Sequence, residues 1–326
     1  MKTFALAAIA GLSAAATMTV DDYEFISYVA QHNKFYESTD EYAFRMNEWR
    51  KVDREIKLHN NANRTWTLGH NFMSDWTQAE RKSLNGYKPE LRTREYAPTL
   101  LEETNEDSVN WCDKGAVTPV KNQGQCGSCW SFSSTGALEG AHFIASGELL
   151  SLSEEQLVEC DYGILKNLGC NGGLMDKAFK YAESNAMVEE SVYPYTSGDG
   201  SRGSCQTDLL SQGKVTVSSY TDVTKNSPDQ LKAALAQQPV SVAIEADKTA
   251  FQMYTSGVLT GTACGTSLDH GVLAVGYGVE NGTAYYLVKN SWGPTWGDQG
   301  YVKIGIEDGA GVCGIQSGPP SYPTTN

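Results

Sequence analysis

The chain has 326 residues, which is long enough for an enzyme domain preceded by an accessory segment. Its formal net charge of −14 at pH 7 argues against a protein that binds nucleic-acid phosphates. Beyond the first residues, no stretch approaches the ~20 uninterrupted apolar residues that a membrane span requires.

Residues 1–16 resemble a secretory signal peptide. Lys2 is followed by an apolar run over 4–12 and by small residues over 13–16. The apolar run is too short to span a bilayer. A secreted chain with eight cysteines is expected to form disulfides.

Residues 17–104, called here the N-terminal segment, contain no cysteine and many helix signals. Ser38 to Glu41 form a capping-box pattern that predicts a long helix to about Asn60. Thr77 to Glu80 predict a shorter helix in the same way. The change in composition predicts a domain boundary, and we place it, with a proteolytic cleavage site, near Asn105.

The next informative stretch, residues 121–132, leads into a predicted helix that begins at Cys129 and ends at Gly147. A helix N-terminus stabilises an anion, so the Cys129 thiol is expected to ionise more readily than a free cysteine. An unperturbed thiol with a pKa of ~8.5 is only about 0.03% thiolate at pH ~5. A cysteine nucleophile that works in an acidic compartment therefore needs a cationic partner to hold it as thiolate. His270, in Leu-Asp-His-Gly at 268–271, offers one.

The chain after this helix changes from helical to strand-like patterns. Ser153 to Gln156 predict a short helix to Cys160, a second helix is expected over 175–185, and Ser227 to Gln230 start another. Strand-like runs then follow at 240–246, 271–279, 284–289 and 301–306. Asn281-Gly282 predicts a tight hairpin between two of them. Helices first and antiparallel strands second indicate an α+β fold with two lobes.

Four motifs in chain order carry a family resemblance. They are Gln-Gly-Gln-Cys-Gly-Ser-Cys-Trp at 123–130, Cys-Asn-Gly-Gly at 170–173, Asp-His-Gly at 269–271 and Asn-Ser-Trp-Gly at 290–293. With these motifs the chain resembles the papain-family cysteine proteases of the cathepsin L type.

The N-terminal segment carries a second resemblance. Its long predicted helix places Glu41, Arg45, Trp49, Ile56 and Asn60 at the spacings of the ERFNIN pattern of cathepsin L-like prosegments. Trp stands for the Phe of that pattern, and Val52 stands where Asn is usual. A Gly-x-Asn-x-Met-x-Asp stretch at 69–75 resembles a further prosegment motif, with Met for Phe.

The resemblance implies a papain-like fold for residues 105–326, with a helical N-terminal lobe and an antiparallel, β-barrel-like C-terminal lobe. It also implies that residues 17–104 are an inhibitory propeptide, an intramolecular inhibitor that lies across the active-site cleft.

The same resemblance implies four catalytic roles. Cys129 attacks the amide carbonyl, and His270, as imidazolium, holds the thiolate and then protonates the leaving amine. Asn290 orients His270, and Gln123 donates to the oxyanion together with the backbone N–H of Cys129. Trp292 covers the bond between His270 and Asn290 from water.

The resemblance also implies a substrate-binding cleft. Its residues are Gly172, Gly173, Leu174, Met175, Ala243, Leu268, Asp269, Trp292 and Gly318. The S2 pocket would be formed by the apolar or small members of this set, so a bulky apolar residue is expected at P2. Features of the exopeptidase cathepsins are missing, which favours an endopeptidase.

Sequence alone leaves 15 pairings open for six cysteines. The resemblance implies three disulfides, namely Cys126 with Cys170, Cys160 with Cys205, and Cys264 with Cys313. Cys129 then stays free for catalysis. Cys112 is left over, either as an unpaired thiol or as the site of an intermolecular disulfide.

Two other functions are compatible with parts of this sequence. Cys126-Gly-Ser-Cys129 at a helix start is also the pattern of a thiol-disulfide oxidoreductase, although no βαβ pattern precedes it. A catalytically inactive binding or structural relative with the same fold is the second alternative. Zinc binding by the same two cysteines lacks a second ligand pair.

No metal or organic cofactor is expected. The partners are protein and peptide substrates and the N-terminal segment itself, and a monomer is expected. The signal-like start and the cysteines place the protein in the secretory pathway, with a lysosome, an acidic vacuole or the extracellular space as its destination. Acidification is expected to loosen the N-terminal segment by protonating carboxylates that hold it.

Overall fold

The computed structural model describes residues 18–326, so the predicted signal peptide at 1–16 lies outside the described residues. Within 18–326, no helix combines the length and apolar character needed to cross a bilayer. The α-helices are α1 Val20–Gln31, α2 Thr39–Asn60, α3 Gln78–Lys82, α4 Cys129–Ser146, α5 Glu154–Cys160, α6 Met175–Ala182, α7 Pro228–Gln237 and α8 Thr249–Gln252. The strands are β1 Trp66–Leu68, β2 Pro98–Thr99, β3 Val109–Asn110, β4 Val217–Val223, β5 Val240–Ile244, β6 Tyr254–Leu259, β7 His270–Glu280, β8 Thr283–Lys289, β9 Tyr301–Gly305 and β10 Ser321–Thr325.

The N-terminal segment begins with α1 and α2, which pack through a cluster of their own. Phe25 and Tyr28 of α1 and Met46 and Trp49 of α2 are buried in this cluster. The helix to Asn60 is confirmed, and the Ser38 hydroxyl accepts a hydrogen bond from the Glu41 N–H at its start. These few side chains give the two helices a small core separate from that of residues 105–326, which are called here the enzyme half after the family that they resemble.

Asp75, in the turn between β1 and α3, fixes this turn to α1 and to the loop that follows α1. This buried carboxylate accepts hydrogen bonds from Tyr28 Oη at 2.7 Å, Tyr36 Oη at 2.9 Å and Lys34 Nζ at 2.8 Å. Three donors, one of them charged, satisfy an anion that would otherwise be costly to bury.

A bidentate ion pair joins α2 to α3. The guanidinium of Arg45 donates to both carboxylate oxygens of Glu80, at 2.7 and 2.8 Å. The pair lowers the pKa of Glu80 to about 2, so it stays charged in mild acid.

In the enzyme half, α4 lies at the centre and is buried over most of its length. It ends, as predicted, where Gly147 takes a positive φ of 79°. The helix that starts at Met175 ends at Ala182, three residues before the predicted end at Asn185. The backbone N–H groups of Ser184 and Asn185 both bond to the Tyr181 carbonyl, which replaces the helix by a turn.

The strands form one open sheet, in the order β1-β6-β9-β8-β7-β5-β10-β4-β2, with β3 on β7. The pairs are antiparallel except for β6–β9 and β2–β4, which are parallel. The sheet path does not close on itself, so the barrel-like lobe is an open sheet. Asn281 and Gly282 connect β7 to β8 with positive φ angles of 49° and 82°, as the predicted tight turn requires.

The N-terminal segment contributes a strand at each end of this path. At one end β1 pairs with β6, with Trp66 opposite Gly257. At the other end β2 pairs with β4, with Pro98 opposite Asp222. The sheet therefore runs continuously from the N-terminal segment through the enzyme half and back to the segment.

Three disulfides join the pairs that the resemblance implies. They are Cys126–Cys170, Cys160–Cys205 and Cys264–Cys313. Within residues 18–326, Cys112 and Cys129 are the cysteines outside these bonds. Cys112 is half-buried, and its Sγ lies 3.5 Å from Tyr301 Oη.

Candidate active site

Cys129 and His270 are brought together by the start of α4 and the start of β7. The backbone N–H of Gly271 donates to Cys129 Sγ at 3.3 Å. A Cβ at Gly271 would lie 3.4 Å from the Trp130 Cα, so the first turn of α4 and the first residues of β7 are in close contact. Both Cys129 and His270 are fully buried.

Asn290 orients the His270 ring. Nε2 of His270 lies 2.8 Å from Asn290 Oδ1, which means that Nε2 carries the proton and donates it. Oδ1 also accepts from the Ser291 N–H at 2.8 Å, which fixes the amide. Because the proton is on Nε2, Nδ1 is the basic nitrogen of the neutral ring. Trp292 is buried with its ring centroid 4.8 Å from that of His270, so it covers the bond.

Gln123 is held by the strand end that supplies Asn290. Its Oε1 accepts from the Ser291 hydroxyl at 2.7 Å, and its backbone N–H donates to the Ser291 carbonyl at 2.9 Å. With the amide oxygen occupied, Nε2 is directed towards the cleft. The sequence does not predict this role of Ser291, although Ser291 lies between Asn290 and Trp292 in the Asn-Ser-Trp-Gly motif.

The N-terminal segment runs over these residues. Gln123 Nε2 donates to the Leu84 carbonyl at 2.8 Å, and the Gly86 N–H donates to Cys129 Sγ at 3.2 Å. A Cβ at Gly86 would lie 1.8 Å from the Gly127 carbonyl oxygen, so only glycine fits this crossing. A peptide carbonyl is thus seated on the Gln123 amide beside the thiol.

Backbone hydrogen bonds hold residues 84–88, called here the crossing strand, on both sides of the cleft. Gly173 donates to the Gly86 carbonyl at 2.8 Å and accepts from the Lys88 N–H at 3.1 Å. On the other side, the Tyr87 N–H donates to the Asp269 carbonyl at 2.8 Å. Gly173 and Asp269, both expected in the substrate cleft, therefore hold a peptide backbone in this structure. Gly172 lies beside the crossing strand, and a Cβ added at Gly172 would lie 2.6 Å from the Gly86 carbonyl oxygen.

Tyr87 fills the pocket in which a P2 side chain is expected. A Cβ at Gly318 would lie 2.9 Å from Leu268 Cδ1, 3.4 Å from Ala243 Cβ and 3.6 Å from Tyr87 Oη. Only 4% of Tyr87 is exposed. These three predicted pocket residues therefore lie close together, and the Tyr87 hydroxyl lies beside Gly318.

The other two predicted pocket residues begin α6. Met175 packs against the start of β7, since its Sδ would lie 3.1 Å from a Cβ on Gly271. Leu174 lines a neighbouring cavity together with Arg92, Asp176 and Tyr220. Arg92, Thr93 and Arg94, which follow Tyr87 in the N-terminal segment, also line this cavity.

Burial determines the charge of the two central groups. It raises the pKa of Cys129 to about 11, although the N–H groups of Gly271 and Gly86 oppose the shift. It lowers the pKa of His270 to about 4, although the bond to Asn290 opposes the change. The sequence predicts an easily ionised thiol, but in this closed form the two groups are a neutral thiol and a neutral imidazole.

Asp269 is a third shifted group at the site. Burial raises its pKa to about 6, against the hydrogen bonds from the Ala246 N–H and the Asn85 amide. The Asn85 bond, at 2.9 Å, comes from the N-terminal segment.

The alternative chemistry of the Cys-x-x-Cys pattern is not supported by the geometry. Cys126 is bonded to Cys170, with an S–S distance of 2.10 Å, and Cys129 is free. The two cysteines of the pattern therefore do not form a redox pair with each other. Within residues 18–326, no three His, Cys, Asp or Glu side chains are grouped as a metal site would require.

Comparison with protein families gives two matches. The papain family cysteine protease model matches residues 105–324, and the cathepsin propeptide inhibitor domain model matches residues 25–80. The chain is 48% identical over 277 residues to the probable cysteine protease RD21B of Arabidopsis thaliana. That match covers 83% of this chain and 58% of the length of the relative.

Solved structures give the same result for the fold. The proform of the Amb a 11 cysteine protease, a major ragweed pollen allergen, matches with a TM-score of 0.83 and 35% identity, covering 94% of this chain and 95% of that one. Digestive procathepsin L 3 of Tenebrio molitor larval midgut matches with a TM-score of 0.82 and 36% identity, covering 94% of this chain and 99% of that one. Both are precursors, and both include the region that corresponds to the N-terminal segment.

Proposed function

Since the chain belongs to the papain family of cysteine proteases and carries a cathepsin-type inhibitor propeptide, we propose that it is the inactive precursor of an endopeptidase centred on Cys129. The observation that carries the proposal is the Leu84 carbonyl on Gln123 Nε2, next to the thiol. A scissile carbonyl bound in the same place would be positioned for attack.

In the open enzyme, Cys129 attacks the carbonyl carbon of the substrate and His270 receives the thiol proton on Nδ1. Gln123 Nε2 and the Cys129 backbone N–H stabilise the oxyanion, a contribution of ~2.7 to 4 kcal/mol for each donor in comparable sites. The imidazolium then protonates the leaving amine, and water hydrolyses the thioester. Asn290 keeps Nδ1 directed towards the thiol throughout.

The preference at P2 follows from the occupant of the pocket. Tyr87 is large and mostly apolar, and Ala243, Leu268 and Gly318 around it carry no charge. We expect Leu, Phe or Tyr at P2, with a discrimination of ~1 to 3 kcal/mol against a residue that fits poorly.

Acid activation would have to separate two ion pairs that hold the N-terminal segment on the enzyme half. Arg92 pairs with Asp176 at 2.5 Å, and Arg94 pairs with the buried Asp222. The Arg45–Glu80 pair within the segment persists, because the pKa of Glu80 is about 2.

The raised pKa of Asp269 acts in the opposite direction. A carboxyl whose pKa is higher in the closed form than in the unfolded chain binds a proton more tightly in the closed form. Protonation of Asp269 near pH 6 therefore does not weaken closure. Acid weakens closure instead through His270, whose pKa burial lowers to about 4 in the closed form.

We place the protein in the secretory pathway, with an acidic vacuole, a lysosome or the extracellular space as its destination. The disulfides and the signal-like start of the sequence support this placement. Acid-dependent release of the N-terminal segment fits an acidic compartment.

The test is hydrolysis of a fluorogenic peptide with Leu or Phe at P2 and Arg at P1, after acid treatment, with and without a thiol-alkylating reagent. We expect turnover that alkylation abolishes and that the Cys129→Ala variant lacks. Turnover by Cys129→Ala equal to the unmodified protein would refute the assignment of the nucleophile. If the processed protein has no activity on any peptide, the inactive-relative alternative is correct.

A further inference from the structure

After crossing the cleft, the N-terminal segment continues along the surface of the enzyme half as a strap, residues 92–108. Its contacts are regularly spaced. Tyr96 Oη donates to the Val223 carbonyl at 2.7 Å, β2 pairs with β4, and Leu101 reaches α7. This strap contains the predicted boundary near Asn105, so the bond that is cut during maturation lies within it.

At Leu101 the strap is held by a single side chain. Gln230 Oε1 accepts from the Leu101 N–H at 2.8 Å, and Gln230 Nε2 donates to the Leu101 carbonyl at 2.9 Å. The side-chain amide of Gln230 therefore binds both the backbone N–H and the backbone carbonyl of Leu101. Gln230 is 6% exposed, so these bonds are shielded from water.

Gln230 has another expected partner that it does not use. It is the third residue of α7, where a Gln in a capping box bonds back to the N-cap residue. Ser227 does cap α7, accepting from the Gln230 N–H at 3.3 Å, but the Gln230 side chain bonds the strap instead. The second bond of a capping box is thus replaced at Gln230 by a contact between the two parts of the precursor.

The strap contains few residues that suit an apolar S2 pocket. Tyr96 would direct cleavage to the Ala97–Pro98 bond, whose rigid proline is a poor continuation for an extended substrate. Leu100 is 80% exposed, whereas Leu101 packs against the core. Cleavage just before Asn105 would place Glu103 beside Ala243, Leu268 and Gly318, which are apolar or small and do not favour a carboxylate.

We propose that another, already open copy of the enzyme cuts the precursor at the Leu101–Glu102 bond with Leu100 in its S2 pocket, and that Gln230 restrains this cut. The inference rests on the proposed function. The carbonyl of Leu101 is the one that would be attacked, and it is the carbonyl that Gln230 holds. The cut lies three residues before the boundary predicted near Asn105.

The reaction is ordinary peptide hydrolysis. Cys129 of the open copy bonds to the Leu101 carbonyl carbon, and the bond to the Glu102 nitrogen breaks. The proton from the thiol goes through His270 to that nitrogen, giving a free amine on Glu102. Water then cleaves the thioester, leaving a carboxyl on Leu101 and restoring the thiol. The precursor does not perform this step on itself while closed, because its own Cys129 is covered by residues 84–88.

The experiment uses the Cys129→Ala precursor as substrate and acid-treated wild-type protein as the enzyme. The first product is identified from its intact mass and N-terminal sequence over a time course. We expect Glu102 to be the first new N-terminus. A first N-terminus at Glu103, Asn105 or any other residue overturns the assignment of the bond.

The restraint is tested by two further substrates on the same background, Gln230→Ala and the matched control Gln237→Ala. Gln237 is on the same helix, and its side chain bonds the Ala233 carbonyl of that helix and no other group within residues 18–326. We expect the first cut to be at least about fivefold faster in Gln230→Ala, since two shielded hydrogen bonds are lost, and unchanged in Gln237→Ala. Equal rates for all three precursors overturn the restraint. Should Gln230→Ala not fold, Gln230→Glu keeps the acceptor, loses the donor, and must also be cut faster.

The occupant of the pocket is tested at Leu100. We expect Leu100→Phe to be cut at the same bond and Leu100→Asp to be cut there at least about tenfold more slowly. Unchanged cleavage of Leu100→Asp overturns the role of Leu100. Peptide hydrolysis by the same enzyme sample is measured in parallel. Its absence is a failure of the proposed function, whereas peptide hydrolysis with a wrong first cut is a failure of this inference alone.

Discussion

Cys129 is kept as a neutral thiol in the closed precursor. With a pKa of about 11, its thiolate fraction at pH 7 is about 10⁻⁴. Cys129 is also fully buried beneath residues 84–88, so we expect its alkylation to be at least about tenfold slower in the intact precursor than in the acid-processed protein at the same pH. Peptide mapping by mass spectrometry measures the rate, in a Cys112→Ser background that removes the second free thiol. Rapid alkylation of the intact precursor at pH 6 would contradict the assigned state.

Gly86 lies where the strand crosses closest to the enzyme half. We expect Gly86→Ala to lift the strand, because the new Cβ would lie 1.8 Å from a backbone oxygen that has no room to move. Alkylation of Cys129 at pH 7 should then become at least about tenfold faster in the uncut precursor. Ser83→Ala, at an exposed position three residues earlier, is the control and should leave the rate unchanged. Equal rates for the two variants would mean that the crossing tolerates a side chain.

Some residues of the site are predictable from sequence and others are not, for a physical reason. Cys129, His270 and Asn290 lie in short motifs whose residue types are chemically distinctive. Ser291 and Gln230 carry common side chains, and their partners are far away in the chain. Their roles depend on which segment folds against them, which no local pattern specifies.

At the scale of elements, the Asp75 carboxylate ties the turn before α3 to α1 and to the loop between α1 and α2. We expect Asp75→Asn to cost about 3 kcal/mol in the stability of this unit, at the lower end of the range for breaking a buried ion pair, because 17% of the Lys34 side chain is exposed. Hydrogen exchange of the α1 and α2 amides in the Cys129→Ala precursor measures the loss. Asp40→Asn, exposed in the first turn of α2, is the control and should change stability by less than about 1 kcal/mol. Protection that is unaltered in Asp75→Asn would show that the aromatic cluster alone holds the helices.

The sequence predicts some helices and strands of this fold and not others. The long α2 and the β7–β8 hairpin follow from a capping residue and from Asn281-Gly282, which are local signals. Strands β1 and β2 have only three and two residues, and β2 contains Pro98. Such short strands exist because an edge of the sheet is available to pair with them, and the sequence of the segment does not reveal that edge.

At the scale of the whole molecule, the buried His270 makes closure sensitive to acid. Its pKa is lowered to about 4 in the closed form, against about 6.5 in an unfolded chain. Between these values the unfolded chain binds a proton that the closed form does not, so stability falls as pH falls from about 6.5 to about 4. The loss is at most about 1.4 kcal/mol per pH unit for one proton.

We therefore expect the melting temperature of the Cys129→Ala precursor to fall through this pH range, with a smaller fall in the Cys129→Ala precursor that also carries His270→Asn. The second variant has no imidazole at the site to protonate. His142→Asn on the same background is the control for general histidine effects. Identical pH dependence in all three proteins would assign acid sensitivity to the carboxylates alone.

The two strands that the N-terminal segment adds to the sheet have a consequence for colloidal behaviour. While the segment is present, β6 and β4 each have neighbours on both sides. Its removal turns both into edge strands, with rows of backbone N–H and C=O groups open to other chains. Maturation thus creates the catalyst and, in the same step, the form of the protein more liable to self-associate. A cell that accumulates the precursor and opens it only where it is needed holds the chain in its better-protected state.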